Sequence, residues 1–149
     1  MQSLDILFAQ YGESHQNKVN IVIHKIFVPL IMLSVLGLLL AIPAPAFLRA
    51  AGLDWALIVS LLVLGYYLKL SKKYFLLMIP VLALMYLAVK ELAALGPILW
   101  LSLAIFIVSW AFQFIGHKIE GKKPSFLQDL LFLLIGPLWV AKALFRIKS

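Results

Sequence analysis

Five apolar runs, divided by short segments that carry most of the charge, govern what this chain can fold into. They cover 26–42, 53–68, 75–89, 98–115 and 126–145. Runs of this kind are helices, buried either in a large protein core or in lipid. Size decides between the two. The chain has 149 residues, of which 64% are hydrophobic and 13% charged, so its polar surface is too small to cover its apolar surface in water. An all-α, polytopic helix bundle in a bilayer follows. The length leaves no room for a separate soluble domain, so residues 1–149 are expected to form a single transmembrane domain.

The breaks between runs have physical causes. Pro43 and Pro45 end the first run, and Asp54 is available to cap the second. Pro80 lies inside the third, Pro97 precedes the fourth, and Gly136-Pro137 interrupts the fifth. Several runs fall short of the ~20 residues a straight crossing needs, so flanking turns must extend them. Ahead of them, Leu4, Leu7, Phe8 and Tyr11 follow the spacing of a short amphipathic helix at the membrane surface or on the bundle. Gly12 is positioned to end it, and Ser14 to cap the next helix. The first residues carry Asp5 and Glu13 and no basic cluster, which does not fit a cleavable signal peptide.

The net charge is +7, and the basic residues sit at the ends of the apolar runs. That is the pattern of membrane topology; nucleic-acid binding requires a basic stripe on a soluble element, and none is present. Lys18 and Lys25 precede the first run, and Arg49 follows it. Lys69, Lys72 and Lys73 follow the second, Lys90 (beside Glu91) the third, and Lys118, Lys122 and Lys123 the fourth. The alternation places the N-terminus in the cytoplasm and gives four transmembrane helices. Lys142, Arg146 and Lys148 would then lie outside if the fifth run also crossed. A re-entrant or interfacial fifth segment, kinked at Gly136-Pro137, is therefore preferred to a spanning one.

The chain has no cysteine, which excludes disulfides and thiolate-bound metals. It has three histidines, His15, His24 and His117, and the topology puts all of them on the cytoplasmic side. Histidine at a membrane boundary can be as ordinary as the neighbouring lysines. The spacing adds to it. Trp110, Gln113, His117 and Glu120 share one stripe of a helix, with the imidazole and carboxylate side by side and Gln113 one turn away. Gly121 and Pro124 stop that helix, leaving Glu120 at its C-terminus, where the dipole disfavours an anion. A nearby cation would resolve the conflict, either a metal or Lys122 or Lys123. Asn20 and His24 share a face of the first long helix. His15 lies about 180° away from His24 on a continuous helix, so it joins them only if the chain turns between 14 and 17. Three imidazoles and a carboxylate suit Fe(II), Zn(II) or Mn(II). No glycine-rich phosphate loop and no G-x-S-x-G elbow is present.

The segment from His15 through Asn20 to His24 reads H-x4-N-x3-H and is followed by Pro29-Leu30. The segment from Trp110 reads W-x-x-QFIGH-x-x-E-G-x-x-P and ends at Pro124, and Gly136-Pro137-Leu138 comes later. The combination resembles the membrane 2-hydroxy fatty acid dioxygenases, whose fungal member acts in phytosphingosine breakdown, and the resemblance covers essentially the whole chain. It implies an Fe(II)-dependent α-oxidation in which a long-chain 2-hydroxy fatty acid reacts with O2 and loses one carbon. It also implies that His15, His24 and His117 are the metal set, with Glu120 a fourth ligand or base and Asn20 and Gln113 in support. Two positions depart from the family pattern: Phe27, two before Pro29, where a glycine near the proline is usual, and Ser125, where alanine often follows Pro124. Lys25, Lys118 and Lys122 are placed to attract the substrate carboxylate while its tail stays in membrane lipid. The competing readings are a His-bound zinc hydrolase and a non-enzymatic membrane protein such as a transporter subunit or scaffold; bound metal separates them. Bacterial inner membrane and endoplasmic reticulum both suit the chain.

Overall fold

The computed structural model describes residues 4–13, 15–121 and 126–144, the side chains of 126–133 and 144 excepted. Among the described residues every regular element is a helix: α1 (Leu4–Glu13), α2 (Lys18–Ala41), α3 (Ala46–Ala50), α4 (Trp55–Leu70), α5 (Lys72–Leu95), α6 (Ile98–Glu120) and α7 (Phe126–Leu144). Helices α2, α5 and α6, with 24, 24 and 23 residues, are long and apolar enough to cross a membrane. At 1.5 Å per residue each is roughly 35 Å long, against ~30 Å of hydrocarbon. Flanking turns supply the missing length, carrying the first run back to Lys18 and the third out to Leu95. The second run stays short as α4, whose 16 residues give about 24 Å.

Proline does not break these helices. Pro29, Pro80 and Pro137 lie inside α2, α5 and α7. Helix α7 therefore continues through Gly136-Pro137, which the sequence suggested as an interruption. In apolar surroundings a backbone polar group has few partners outside a helix, so losing one hydrogen bond at proline is less unfavourable than unwinding a turn. The loop after α2 holds the short α3, which the hydropathy pattern did not signal. Pro45 occupies its N-cap position, and the Arg49 side chain donates back to the Ala44 carbonyl over 2.6 Å.

The chain divides into two compact units, Met32–Phe106 and Met1–Ile31 with Ile107–Ser149, and the boundaries fall within α2 and α6. In the first of these, α4 packs on α5. Asp54 caps α4 as expected, its Oδ1 accepting from the Leu57 amide over 2.9 Å. Its Oδ2 accepts from the Tyr86 hydroxyl over 2.7 Å, with the Lys90 ammonium 3.6 Å away. Leu36, Ala56 and Val89 form the core, with Leu33, Met85 and Ile98 against them. Burial is confined to stripes, such as Tyr74, Met78, Leu82 and Val89 on α5. The outward faces are apolar too: Leu62 is 68% exposed and Leu84 67%. A helix facing water carries polar residues there, so these faces are compatible with lipid.

The other unit contains α1 packed on α7. Phe8 and Tyr11 are buried from α1, and Ile135, Leu138, Val140 and Ala141 from α7. The α1 helix runs past Gly12 to Glu13. Ser14, its suggested successor cap, lies outside the described residues. Asn17 caps α2 instead: its Oδ1 accepts from the Val19 amide over 2.9 Å, and its carbonyl accepts the first helical bond, from the Ile21 amide.

Candidate functional site

The break between α1 and α2 supplies the turn that His15 requires. With His15 freed from the α2 axis, its ring centroid comes within 4.1 Å of His24, and the His117 ring lies 5.2 Å from His24 and 6.0 Å from His15. Three histidines separated by up to a hundred residues thus form one cluster inside one unit. His15 and His24 are buried. Each bonds through Nδ1 to the carbonyl four residues earlier, His15 to Tyr11 and His24 to Asn20 at 3.0 Å. A carbonyl only accepts, so Nδ1 carries the proton and the lone pair sits on Nε2. That is the tautomer a metal-binding imidazole needs, held by the kind of backbone anchor such ligands commonly have.

Neutral imidazoles without thiolate suit a borderline divalent cation. The donor chemistry therefore fits such a metal. The rings as placed meet edge to face, at 87° and 84° for the two pairs that His24 makes. Among the described residues no three His, Asp or Glu side chains already surround a single point. Binding a metal requires the imidazoles to turn about their side-chain bonds.

Glu120 has a different set of partners. Its carboxylate accepts from the Gln16 amide over 2.8 Å, the Asn17 amide over 3.0 Å and the Asn20 Nδ2 over 2.9 Å. The three donors lie just before and within the first turn of α2. The last residue of α6 thus sits against the N-terminus of another helix, where the dipole favours an anion. These amides resolve the unfavourable position that the sequence alone gives Glu120. Asn20, fully buried, links the two ends: its side chain donates to Glu120 and its carbonyl holds His24.

Two glycines, one inside α6 and one directly after it, make this junction possible. A Cβ on Gly116 would collide with Asn20 Oδ1 and touch the Ile23 side chain at 3.4 Å, so only glycine lets the helices approach here. Gly121, at φ +73°, ends α6 immediately after Glu120.

Gln113 is buried one turn before His117, and Ser109 is buried one turn before that. Among the described residues neither Gln113 Nε2 nor Ser109 Oγ has a hydrogen-bond partner. Lys25 is half-buried beside His24, Lys118 is exposed beside His117, and Lys122 and Ser125 lie outside the described residues. Trp110 packs on Phe114, with ring centroids 5.7 Å apart. Phe27, the departure in the first motif, stacks on Phe112 at 4.3 Å.

Sequence reasoning missed two aromatic neighbours. Tyr11 stacks flat on His15, 4.0 Å between centroids and 5° between planes, and Trp139 lies 5.4 Å from the His15 ring. Tyr11 was counted only as an apolar position of α1. Its hydroxyl would be 3.0 Å from a Cβ on Gly136, so the Gly136-Pro137 step is also where α7 admits the tyrosine. A glycine in an apolar helix near a tryptophan was the one available signal.

The chain belongs to the Mpo1-like family: the family model described as 2-hydroxy-palmitic acid dioxygenase Mpo1-like matches residues 1–147. Neither a curated protein nor a solved structure matches the chain.

Proposed function

We propose that this protein is a multi-pass membrane enzyme, an Fe(II)-dependent dioxygenase that shortens long-chain 2-hydroxy fatty acids by one carbon at the cytoplasmic boundary. The observation that carries the reading is the cluster of His15, His24 and His117, two of its rings fixed by backbone carbonyls in the metal-ready tautomer. The description of the family supplies the substrate class. In this reading α2, α4, α5 and α6 cross the bilayer and α7 packs with α1 as the fifth segment. The 16 residues of α4 reach across with its capping loops or with local thinning.

His15, His24 and His117 would hold the iron, which when bound supplies the means of reacting O2 with the acid. Atoms and electrons balance without an external reductant, since one O2 converts a 2-hydroxy acid to the shorter acid, carbon dioxide and water. The chain's own residues position and screen. Glu120 and Asn20 fix the start of α2 against the end of α6, which sets the distance between His24 and His117. Tyr11 and Trp139 cover the His15 ring. Lys25 and Lys118 supply positive charge that draws the acid to the boundary, while the acyl tail remains in lipid.

The test is elemental analysis of anaerobically purified, detergent-solubilised wild type, His24→Ala and His117→Ala, followed by mass spectrometry of products from 2-hydroxypalmitic acid and O2. Near-stoichiometric iron in the wild type, lost in both variants, with a product one carbon shorter, is the expected result. Zinc bound to the same histidines would turn the reading to a hydrolase. A folded wild type with no metal and no product would turn it to a non-enzymatic membrane protein.

A further inference from the structure

In the unit that holds the histidine cluster, helix α6 buries two polar side chains that the cluster does not use. Gln113 is 4% exposed and Ser109 1% exposed, and among the described residues neither Gln113 Nε2 nor Ser109 Oγ has a hydrogen-bond partner. Buried polar atoms in folded proteins are almost always paired, so two orphans on one face of one helix need an explanation. Geometry alone does not force it. Ser60 of α4, also buried, satisfies its hydroxyl by donating to the Ala56 carbonyl four residues back, over 2.7 Å. Ser109 has the same option in its own helix and does not take it.

Ser109, Gln113 and His117 follow each other at intervals of four, so they line one side of α6 with about 6 Å of rise between them. Helical side chains lean toward the N-terminus. The His117 imidazole therefore leans over the turn of Gln113, and the Gln113 amide over that of Ser109. A ligand lying between imidazole and amide needs an acceptor for the amide and a second oxygen near the histidines. It must also reach a position flanked by apolar residues on α6. An acyl chain whose head bears oxygens on adjacent carbons meets all three conditions.

We propose that Gln113, backed by Ser109, is the hydrogen-bonding station for the carboxylate of a 2-hydroxy acid, leaving its hydroxyl to the histidine cluster. This rests on the dioxygenase reading above. It makes Gln113 a specificity-determining residue: an acid lacking the 2-hydroxyl satisfies the amide but not the cluster, and an ester loses the charged partner of the amide. Donors kept for a ligand rather than for the protein cost stability, which substrate recognition offsets.

Equilibrium binding of radiolabelled 2-hydroxypalmitic acid to the full chain in detergent tests this, with palmitic acid and methyl 2-hydroxypalmitate as competitors. The ligand-free Tm of each variant is measured alongside. Gln113→Leu is expected to weaken acid binding roughly 10- to 100-fold, the worth of a hydrogen bond to a charged group, and ester binding by less, because the ester offers only a neutral carbonyl acceptor. Its Tm should be equal to the wild type or higher, because the substitution removes buried donors that have no partner. A purely structural glutamine predicts the reverse, a lower Tm. Ser109→Ala, the smaller change, should weaken acid binding by roughly 3- to 10-fold. Wild-type affinity in both variants would overturn the proposal and leave bound water as the occupant. A fall in Tm accompanying weaker binding in both would overturn it in favour of packing. If the wild type itself binds no 2-hydroxypalmitic acid, the dioxygenase reading fails, and this inference with it.

Discussion

The two units bury different chemistry. In Met32–Phe106 the buried polar residues among those described are serines, Ser34, Ser60 and Ser102, set among Leu36, Ala56 and Val89. In the unit that holds both termini they are His15, Asn20, His24, Ser109 and Gln113. A buried serine can be satisfied by its own helix; a buried histidine, asparagine or glutamine has a second polar atom that needs a partner brought from elsewhere. One part of the chain is therefore a packing unit, and the other carries the candidate site. The difference lies in a few residues that give up packing for hydrogen-bonding capacity.

The two carboxylates at helix ends sharpen this contrast. Asp54 caps its own helix, accepting from an amide three residues on, and Lys90 pairs with it only loosely, with its side chain half exposed. Glu120 instead ties α6 to a segment a hundred residues earlier and, through Asn20, to His24. Glu120→Ala is expected to have the largest effect. It removes an acceptor of the fully buried Asn20 side chain and loosens His24, so under the proposed dioxygenase reading iron affinity should fall roughly 10- to 100-fold, as when the outer partner of a metal ligand is lost. Glu120→Gln, which keeps one acceptor oxygen, should recover part of it. Asp54→Ala should lower stability by about 1 kcal/mol through the lost cap and leave iron content unchanged. Iron titration of the three variants checks this. Equal losses of iron in Glu120→Ala and Asp54→Ala would erase the distinction between the units.

How much of this was legible in the sequence follows from range. Gln113, His117 and Glu120 could be placed together because their spacing is a helix period, and so could Asn20 and His24. The ends of α2, α5 and α6 could be judged from the length a crossing requires. His15 was legible only as a condition, a turn between 14 and 17, which the start of α2 at Lys18 fulfils. The partners of Glu120 were not legible at all, because main-chain amides carry no residue type for a pattern to reveal. The continuation of α7 through Pro137 was missed for a related reason: the local rule for proline assumes water is available to the freed backbone groups, and here the surroundings are apolar.

Glycine gives a direct comparison, since the same substitution should act in opposite directions in the two units. Gly116→Ala places a methyl group against Asn20 and Ile23 and should destabilise by about 2 kcal/mol, as overpacking does. It should also shift His117, so iron affinity should fall with it. Co-titration of iron and thermal stability would detect both. A Gly116→Ala protein with wild-type stability and iron would show that the helices separate at Asn20 without cost, and the close approach would not be what sets the cluster.

Gly65, inside α4, has nothing within 4 Å of where a Cβ would lie. Gly65→Ala should therefore raise stability slightly, by about 0.5–1 kcal/mol, by restricting the unfolded chain and favouring the helix. Thermal melting in one detergent is the measurement, because both variants then share the same solvent for their apolar faces. A gain at Gly65 with a loss at Gly116 separates a glycine that merely occupies a helix from one required by a neighbour. A loss at Gly65 would mean that its open face is covered when the protein is assembled in lipid. The packing unit would then have an interface of its own, and the contrast between a unit that only packs and the unit with the candidate site would need to be redrawn.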